Sequence, residues 1–446
     1  LALIKAIETN RVPLSAFWVF DYPGQNKDWN VTWDNDRQYM LSLVSEVNQR
    51  MRAGDKDRKE TAVSHGVSPK DQTIDTFNYI LGTQTIGVKY QFTEDTRLVE
   101  TAKRILDMGS NHLKINMSRR YCAQDYALPE QKDIQSLVDL AKNEPSFQQV
   151  LNMPFAYYHI WAYCFSSGPW IDGFSREERR REYDELYAFA LHLLKTYNQT
   201  GKTFFIGHWE GDWHLRPGYN RTNDPTHAAI QGMINWLNIR QKAIEDAKRD
   251  ANVTGVNLYH YTEANLVQIG MQGKPCLVTD VLPHTFVDYV SYSSYDTINP
   301  NRGHAGKALH EALDFIESRL PPKPDISGKR VFIGEYGFPL ERSTTPRIQS
   351  QYAQDVCEAA LAWGCPFVLY WEMYCNEIKD TGHRGFWLID DKNVKQPFYL
   401  WLETYYQQSK QFVRDFKERH ERVPTHEEFT AYALKHFKKD PHAREQ

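Results

Sequence analysis

Several features that define large protein classes are missing from this chain of 446 residues. It contains no run of about 18 apolar residues, so no transmembrane helix is predicted. Its formal charge of −4 lacks the basic excess that is typical of nucleic-acid-binding proteins. The six cysteines include no C-x-x-C pair, which argues against a disulfide scaffold or a structural zinc site. Hydrophobic residues at 41% and charged residues at 25% exclude a mainly disordered chain.

Aromatic residues, in contrast, are abundant: 12 Trp, 26 Tyr and 22 Phe make up 13% of the chain. Many will fill the core, but aromatic faces also stack on the apolar faces of flat ring ligands such as sugars. This excess makes a carbohydrate partner worth testing. No nucleic-acid partner, no membrane and no cofactor are predicted. Residues 1–20 lack a charged n-region and a small-residue cleavage site, so they do not read as a signal peptide. The cellular location and the oligomeric state stay open.

Composition divides the chain into four segments. They are an accessory segment 1–53, a linker 54–74, a main domain 75–405 and a helical tail 406–446. The linker is charged and poor in bulky apolar residues. The accessory segment contains a strand-like and a helix-like pattern and is predicted to pack outside the main domain without supplying a catalytic group. In the tail, Thr425 followed by Glu428 matches a helix-capping box.

Short strand patterns recur eight times in the main domain. They lie at 79–87, 112–117, 153–163, 203–209, 256–262, 288–295, 331–338 and 366–374. Amphipathic helix patterns separate most of them, for example at 98–109, 181–197, 227–250 and 349–364. Strands alternating with helices form parallel βαβ units, and eight units predict an α/β fold of the (β/α)₈ TIM barrel type. The alternative is an open doubly wound sheet, but the G-x-G-x-x-G turn typical of that fold is missing after the first strand.

Two carboxylates stand at the ends of predicted strands, where the reactive residues of such a barrel lie. Glu210 follows the fourth strand and Glu335 ends the seventh, each after an apolar run and a glycine. A charge at such a position is costly unless it has a partner or a task. A pair of carboxylates can break a glycosidic bond, since one protonates the leaving oxygen and the other acts as nucleophile or base. A structural ion pair or a solvated loop acid is the alternative for each residue, and it explains two such residues less well than one.

With these motifs in this order along the chain, residues 75–405 resemble the clan A glycoside hydrolases, which are (β/α)₈ barrels. Within the clan the pattern is similar to that of family 5. The segment 333–337, Ile-Gly-Glu-Tyr-Gly, is similar to the nucleophile motif of that clan. Tyr292 and Tyr295 on strand six and Trp371 on strand eight also fit its pattern. The resemblance implies that a strand-six tyrosine holds the nucleophile and that Trp371 forms the floor of the subsite where cleavage occurs.

The resemblance further implies a retaining hydrolase that cleaves an oligo- or polysaccharide, with β-linkages favoured. Glu335 would then be the nucleophile and Glu210 the acid/base residue. The chain departs from the clan at Trp209, because most members have Asn immediately before the acid/base residue. It is therefore interpreted as a divergent member.

Further residues near the strand ends are candidate contacts to substrate. They are His208, Trp209, Trp213, Tyr292, Tyr295, Trp371, Arg119 and Glu372. By the two-residue period of a strand, His208 shares the side of Glu210. Arg119 can bind substrate or pair with Glu335, and Glu372 is the reserve catalytic carboxylate. For the histidine and the tryptophans, core packing is the alternative.

Other functions of the same fold leave weaker signals. A Schiff-base aldolase needs a buried lysine, and Lys114 lies inside strand two. A metal-dependent hydrolase would carry an H-x-H motif on strand one, which is missing, so no metal site is predicted. A non-catalytic carbohydrate-binding barrel is the strongest alternative, because it would keep the tryptophans and need only one of the two glutamates.

Overall fold

The computed structural model describes residues 72–168, 170–342, 345–379 and 382–437. Within them, eight parallel strands close into a barrel in chain order, with the last strand paired to the first. The predicted (β/α)₈ barrel is thereby confirmed. The accessory segment 1–53 lies outside the described residues, as does the linker up to residue 71, so their predicted roles stay predictions.

All eight predicted strands are present. The barrel strands are β1 (Leu81–Gln84), β2 (His112–Met117), β3 (Tyr157–Ala162), β4 (Thr203–Gly207), β5 (Asn257–Ala264), β6 (Tyr289–Ser293), β7 (Val331–Tyr336) and β8 (Val368–Tyr370). A separate antiparallel pair, β9 (Ile378–Lys379) and β10 (Gly382–His383), lies after β8. Nearly every barrel-strand residue is buried, as expected for a parallel sheet covered by helices on its outer face.

Helices connect the strands and cover the barrel. The α-helices are α1 (Arg97–Met108), α2 (Leu137–Asn143), α3 (Pro145–Asn152), α4 (Arg176–Thr196), α5 (Gly211–His214), α6 (His227–Ala251), α7 (Val267–Met271), α8 (Tyr295–Ile298), α9 (Gly306–Glu317), α10 (Pro346–Trp363), α11 (Pro397–His420) and α12 (His426–His436). One-turn 3₁₀ helices lie at Arg119–Tyr121, Pro217–Tyr219, Leu282–His284 and Leu340–Arg342, and a π-helical turn at Leu277–Val281. The four helices predicted between strands correspond to α1, α4, α6 and α10. No helix in the described ranges is long and apolar enough to cross a membrane.

The two C-terminal helices pack on the barrel. Helix α11 crosses the position 405/406, where the sequence divides main domain from tail, and its Tyr405 hydroxyl donates to the Tyr79 carbonyl at 2.8 Å. Tyr406 makes a similar bond to the carbonyl of Leu81 at 2.9 Å. Helix α12 begins with the predicted capping box, in which Thr425 and Glu428 cap each other's backbone.

Aromatic side chains fill the N-terminal half of the barrel interior. His112 stacks on Tyr157 with ring centroids 4.6 Å apart, and His159 stacks on Phe205 at 4.9 Å. In the next layer along β2 the inward-facing residue is Lys114, whose ammonium donates to Glu263 and to the Gly334 carbonyl. The change from apolar to polar layers places the chemically active groups at the C-terminal end of the barrel, as in other barrels of this type.

Candidate active site

A cavity of about 1320 Å³ opens at the C-terminal ends of the strands. Both Glu210 and Glu335 line it, so the structure brings the two predicted catalytic residues into one site. A second cavity of about 470 Å³ shares Glu210 and Tyr295 with the first and is lined by Trp213 as well. The volumes are large enough for a ligand of several rings.

Glu210 reaches the cavity because the chain leaves the strand before it. Strand β4 ends at Gly207, and Glu210 has a non-strand backbone with φ 12° and ψ 77° immediately before α5. Its carboxylate accepts hydrogen bonds from the Ser293 hydroxyl and from the Trp213 indole N–H, both at 2.5 Å. The donors that contact Glu210 are therefore neutral groups.

Burial gives the Glu210 carboxyl an unusual proton affinity. It raises the pKa of Glu210 to about 7, and the charge of Glu263 adds to this rise. The bonds from Ser293 and Trp213, together with Lys114, oppose it. A carboxyl of this kind holds a proton near neutral pH, as a general acid must.

Glu335 enters the cavity through an irregularity in β7. Tyr292 pairs with Ile333 and Ser293 with Glu335, so β7 has one extra residue, Gly334, opposite β6. This bulge changes the side to which the following side chain points. A Cβ atom at position 334 would stand 1.8 Å from the Ser291 Oγ atom, so only glycine fits there.

Lys114 is the cation beside Glu335. Its ammonium lies 3.5 Å from Glu335 Oε1, 3.0 Å from Glu263 Oε2 and 3.0 Å from the Gly334 carbonyl oxygen. It also lies 4.3 Å from the centre of the Trp161 ring. An ammonium that is paired with two carboxylates has no free electron pair to attack a carbonyl, which disfavours the aldolase interpretation.

The proton affinity of Glu335 results from opposing influences. Burial raises the pKa of Glu335 well above its usual value, Lys114 opposes the rise, and the charges of Glu263 and Glu210 add to it. The negative charges of Glu335 and Glu210 oppose each other, so the ionisation of one disfavours the ionisation of the other. A direct contact with Lys114 favours the charged form of Glu335, whereas Glu210 has neutral donors only.

The structure places several predicted substrate contacts around the two glutamates. Trp209, Tyr295 and Trp371 line the main cavity, and burial near both glutamates raises the pKa of Tyr295 well above its usual value. Trp213 lies beside Glu210, as described above. Arg119 lies at the cavity wall, where its Nε–H donates to the Phe165 carbonyl at 3.0 Å.

Three other predicted contacts are not among the cavity-lining residues of the described chain. His208 lies behind β4, where its ring nitrogens bond the Thr262 hydroxyl at 2.7 Å and the Trp209 carbonyl at 2.9 Å. The prediction that His208 and Glu210 point to the same side assumed a continuous strand. Because the chain leaves strand geometry before Glu210, the two-residue alternation does not apply to this pair. The Tyr292 hydroxyl bonds Asp296 and Thr297, whereas Tyr295 lines the cavity. Glu372 is fully buried and accepts the Ile86 N–H.

The described residues contain no group of three or more His, Cys, Asp or Glu side chains that could hold a metal ion. The lining of the main cavity includes the carboxyl groups of Glu210 and Glu335, the guanidinium of Arg119 and the aromatic rings named above.

Comparisons with known proteins place the chain structurally. No family model and no curated protein matches its sequence. Among solved structures, it is similar to a GH5_18 protein from Streptomyces cattleya in complex with GlcNAc, at 10% identity and TM-score 0.51, over 74% of this chain and 80% of that one. It is also similar to the exo-β-1,4-mannosidase Op5Man5 from Opitutaceae bacterium strain TAV5, at 10% identity and TM-score 0.51, over 75% and 60%.

A third similar structure is a family 39 glycoside hydrolase from the gut symbiont Bacteroides cellulosilyticus WH2, at 12% identity and TM-score 0.48, over 76% of this chain and 65% of that one. The chain thus spans less than two thirds of the length of this protein and of the mannosidase. The structural neighbours are glycoside hydrolases with a barrel fold. At this low identity the similarity shows the fold.

Proposed function

We propose that the protein is a retaining glycoside hydrolase that cleaves a β-linked oligo- or polysaccharide, with Glu335 as nucleophile and Glu210 as acid/base. One observation supports this proposal most: two glutamates line one cavity and have unlike partners. Glu335 lies beside the ammonium of Lys114, whereas Glu210 is bonded by neutral donors. Two carboxyl groups in unlike surroundings are what acid and nucleophile roles require.

In the first step, Glu335 attacks the anomeric carbon while Glu210 gives its proton to the leaving oxygen. The glycosidic C–O bond breaks as a bond forms between the anomeric carbon and a Glu335 oxygen. In the second step, Glu210 takes a proton from water, and the water oxygen displaces Glu335. Two displacements at the same carbon give net retention, and each carboxyl returns to its starting state.

The walls of the cavity suit a sugar. Trp209, Trp371 and Tyr295 offer aromatic faces for the apolar faces of sugar rings, and Arg119 offers a hydrogen-bond donor at the wall. Two similar structures are named for a GlcNAc complex and for an exo-β-1,4-mannosidase. A test panel should therefore include β-mannosides and β-linked substrates that contain GlcNAc, beside β-glucosides.

The test is Glu335→Ala on the panel substrate that the wild type cleaves. Without the nucleophile we expect turnover to be abolished, and added azide to restore it by forming a glycosyl azide of inverted configuration. Proton NMR of the wild-type product reports retention or inversion. Glu403→Ala, which removes a surface glutamate of α11 that pairs with Lys395, is the matched control and should keep wild-type rates.

Other outcomes would change the proposal in defined ways. An inverted wild-type product would keep both glutamates but make Glu335 a general base. Saturable sugar binding without turnover on the whole panel would favour the non-catalytic carbohydrate-binding barrel. Wild-type-like rates in Glu335→Ala would contradict the assignment of the nucleophile.

A further inference from the structure

A third carboxylate, Glu263 at the C-terminal end of β5, connects the two glutamates. It is fully buried. Its Oε1 accepts the backbone N–H of Glu210 at 3.1 Å. Its Oε2 accepts from the Lys114 ammonium at 3.0 Å and from the Ser291 hydroxyl at 2.6 Å. One side chain thus contacts the backbone of one glutamate and the cation of the other.

The surrounding backbone is shaped to admit this side chain. Glu263 pairs in register with Ser291, so the two residues meet side by side on neighbouring strands. A Cβ atom on Gly334 would collide with Ser291 and stand 3.0 Å from Glu263 Oε2. The glycine before the nucleophile therefore leaves the space in which Glu263, Ser291 and Lys114 meet.

We propose that Glu263 is a positioning residue that links the two catalytic glutamates, through the Glu210 backbone on one side and Lys114 on the other, and divides the protons of the site between them. The inference rests on the proposed function, because it takes Glu210 and Glu335 as the reacting groups. Glu263 does not line the cavity described above, so it acts through these neighbours.

The charges around Glu263 predict a specific pH signature. The titratable groups that face this cluster from the surrounding elements are Lys114, Glu210, Glu335, Glu372, His159, His208, Tyr163, Tyr261 and Tyr295. The negative charge of Glu263 raises the pKa of both Glu210 and Glu335, and the positive charge of Lys114 lowers both. Removing either charge must therefore move both ends of the pH–rate profile in one direction.

Glu263→Gln keeps the shape and an acceptor for the Glu210 N–H but removes the negative charge. Glu335 then ionises at lower pH and Glu210 loses its proton at lower pH. We expect both limbs of the profile of kcat/KM to shift down by about one pH unit or more, the usual effect of a charge within about 4–6 Å. Carbon-13 NMR titration of labelled glutamates should show the same shift without relying on turnover.

Lys114→Met provides the opposite test. The loss of the positive charge should move both limbs up by a similar amount, and Lys114→Arg should keep them near their wild-type positions. In the double variant, in which both charges are absent, the limbs should return toward wild type. A role in folding alone predicts no such cancellation.

The control is Glu182→Gln, a buried carboxylate that pairs with Arg240. It should leave both limbs in place. If the wild type is active and Glu335→Ala is not, but Glu263→Gln and Lys114→Met leave the limbs unmoved, the linking role is overturned and the proposed function stands. If the wild type cleaves no substrate, the proposed function fails first, and the NMR titrations still decide whether Glu263 controls the protons. Should Glu263→Gln fail to fold, the variants Lys114→Met and Lys114→Arg test the same proposal.

Discussion

Two buried ion clusters in this barrel differ in how their charges are balanced. Between α4 and α6, Arg240 pairs one to one with Glu182 at 2.5 Å, and the arginine also donates to the Ala162 carbonyl at 2.8 Å. In the second cluster, whose Glu335 and Glu210 line the cavity, Lys114 contacts Glu263 and Glu335, and Glu263 accepts the backbone N–H of Glu210. The first cluster has one acid for one cation, and the second has more acids than cations.

On the proposed function, this difference distinguishes a structural ion pair from a cluster that takes part in the reaction. Removing the acid from a balanced buried pair leaves an uncompensated cation, which costs much stability. In the second cluster, the loss of Glu263 still leaves Lys114 with Glu335 and the Gly334 carbonyl. Because acids outnumber cations in the second cluster, we expect changes there to appear in the pH dependence of activity more than in stability.

The largest effect that would sharpen this comparison is expected for Glu210→Ala. Because the proton for the leaving oxygen is lost, kcat/KM should fall on the order of 10²–10⁴-fold for substrates with poor leaving groups. Activated aryl glycosides need little protonation and should lose far less. Steady-state kinetics on the two substrate types measures the difference.

The comparison of two substrates on the same variant is an internal control, because a general loss of folded protein would lower both rates equally. Glu335→Ala should lose both activities, because every substrate needs the nucleophile. Equal losses on the two substrates in Glu210→Ala would show that Glu210 does not act as the acid.

A smaller effect is expected at the balanced pair. Glu182→Gln leaves the buried Arg240 without its counter-charge, so the free energy of unfolding should fall by about 3–5 kcal/mol. Urea denaturation followed by fluorescence measures the loss, and Glu263→Gln is the matched comparison, with a smaller loss expected. A pH profile of kcat/KM that moves in Glu182→Gln would mean that the two clusters are not separate.

Sequence patterns were sufficient to predict where the strands lie and which residues stand at their ends. Eight apolar strand patterns and the glycines before Glu210 and Glu335 predict positions that the structure joins in one cavity, because parallel strands bring their C-terminal ends together. Local patterns cannot show pairing across the barrel. Lys114 contacts Glu263, which is 149 residues away in the sequence, and Glu335, which is 221 residues away. The available signal was only that each charge interrupts an apolar strand.

The position of a side chain was predictable only where strand geometry continues. His208 and Glu210 fall on different sides because β4 ends at Gly207, and Glu335 faces the cavity because β7 bulges at Gly334. Neither departure has a marker that the alternation of residues would reveal. The same applies to Tyr292 and Tyr295, of which the second begins α8 and faces the cavity.

The smallest effect concerns a single hydrogen bond to the acid. Trp213 donates its indole N–H to Glu210, and this bond lowers the pKa of that carboxyl, which burial raises to about 7. Trp213→Phe keeps a ring but removes the donor, so the pKa of Glu210 should rise and the acid should keep its proton to higher pH. The alkaline limb of kcat/KM should move up by about one pH unit, because a hydrogen bond to a charged group contributes roughly 1.5–3 kcal/mol. On the proposed roles the acid limb reports the ionisation of Glu335, so it should move less.

Trp363→Phe is the matched control, because its indole N–H also bonds a carboxylate, Asp314 at 2.8 Å, but on the outer surface between α9 and α10. It should leave both limbs in place. An alkaline limb that stays fixed in Trp213→Phe, or moves down, would mean that a group other than Glu210 controls it. The proton of the Lys114 cluster would then lie on another group. The contrast with the balanced pair of Arg240 and Glu182 would no longer explain how Glu210 acts as the acid.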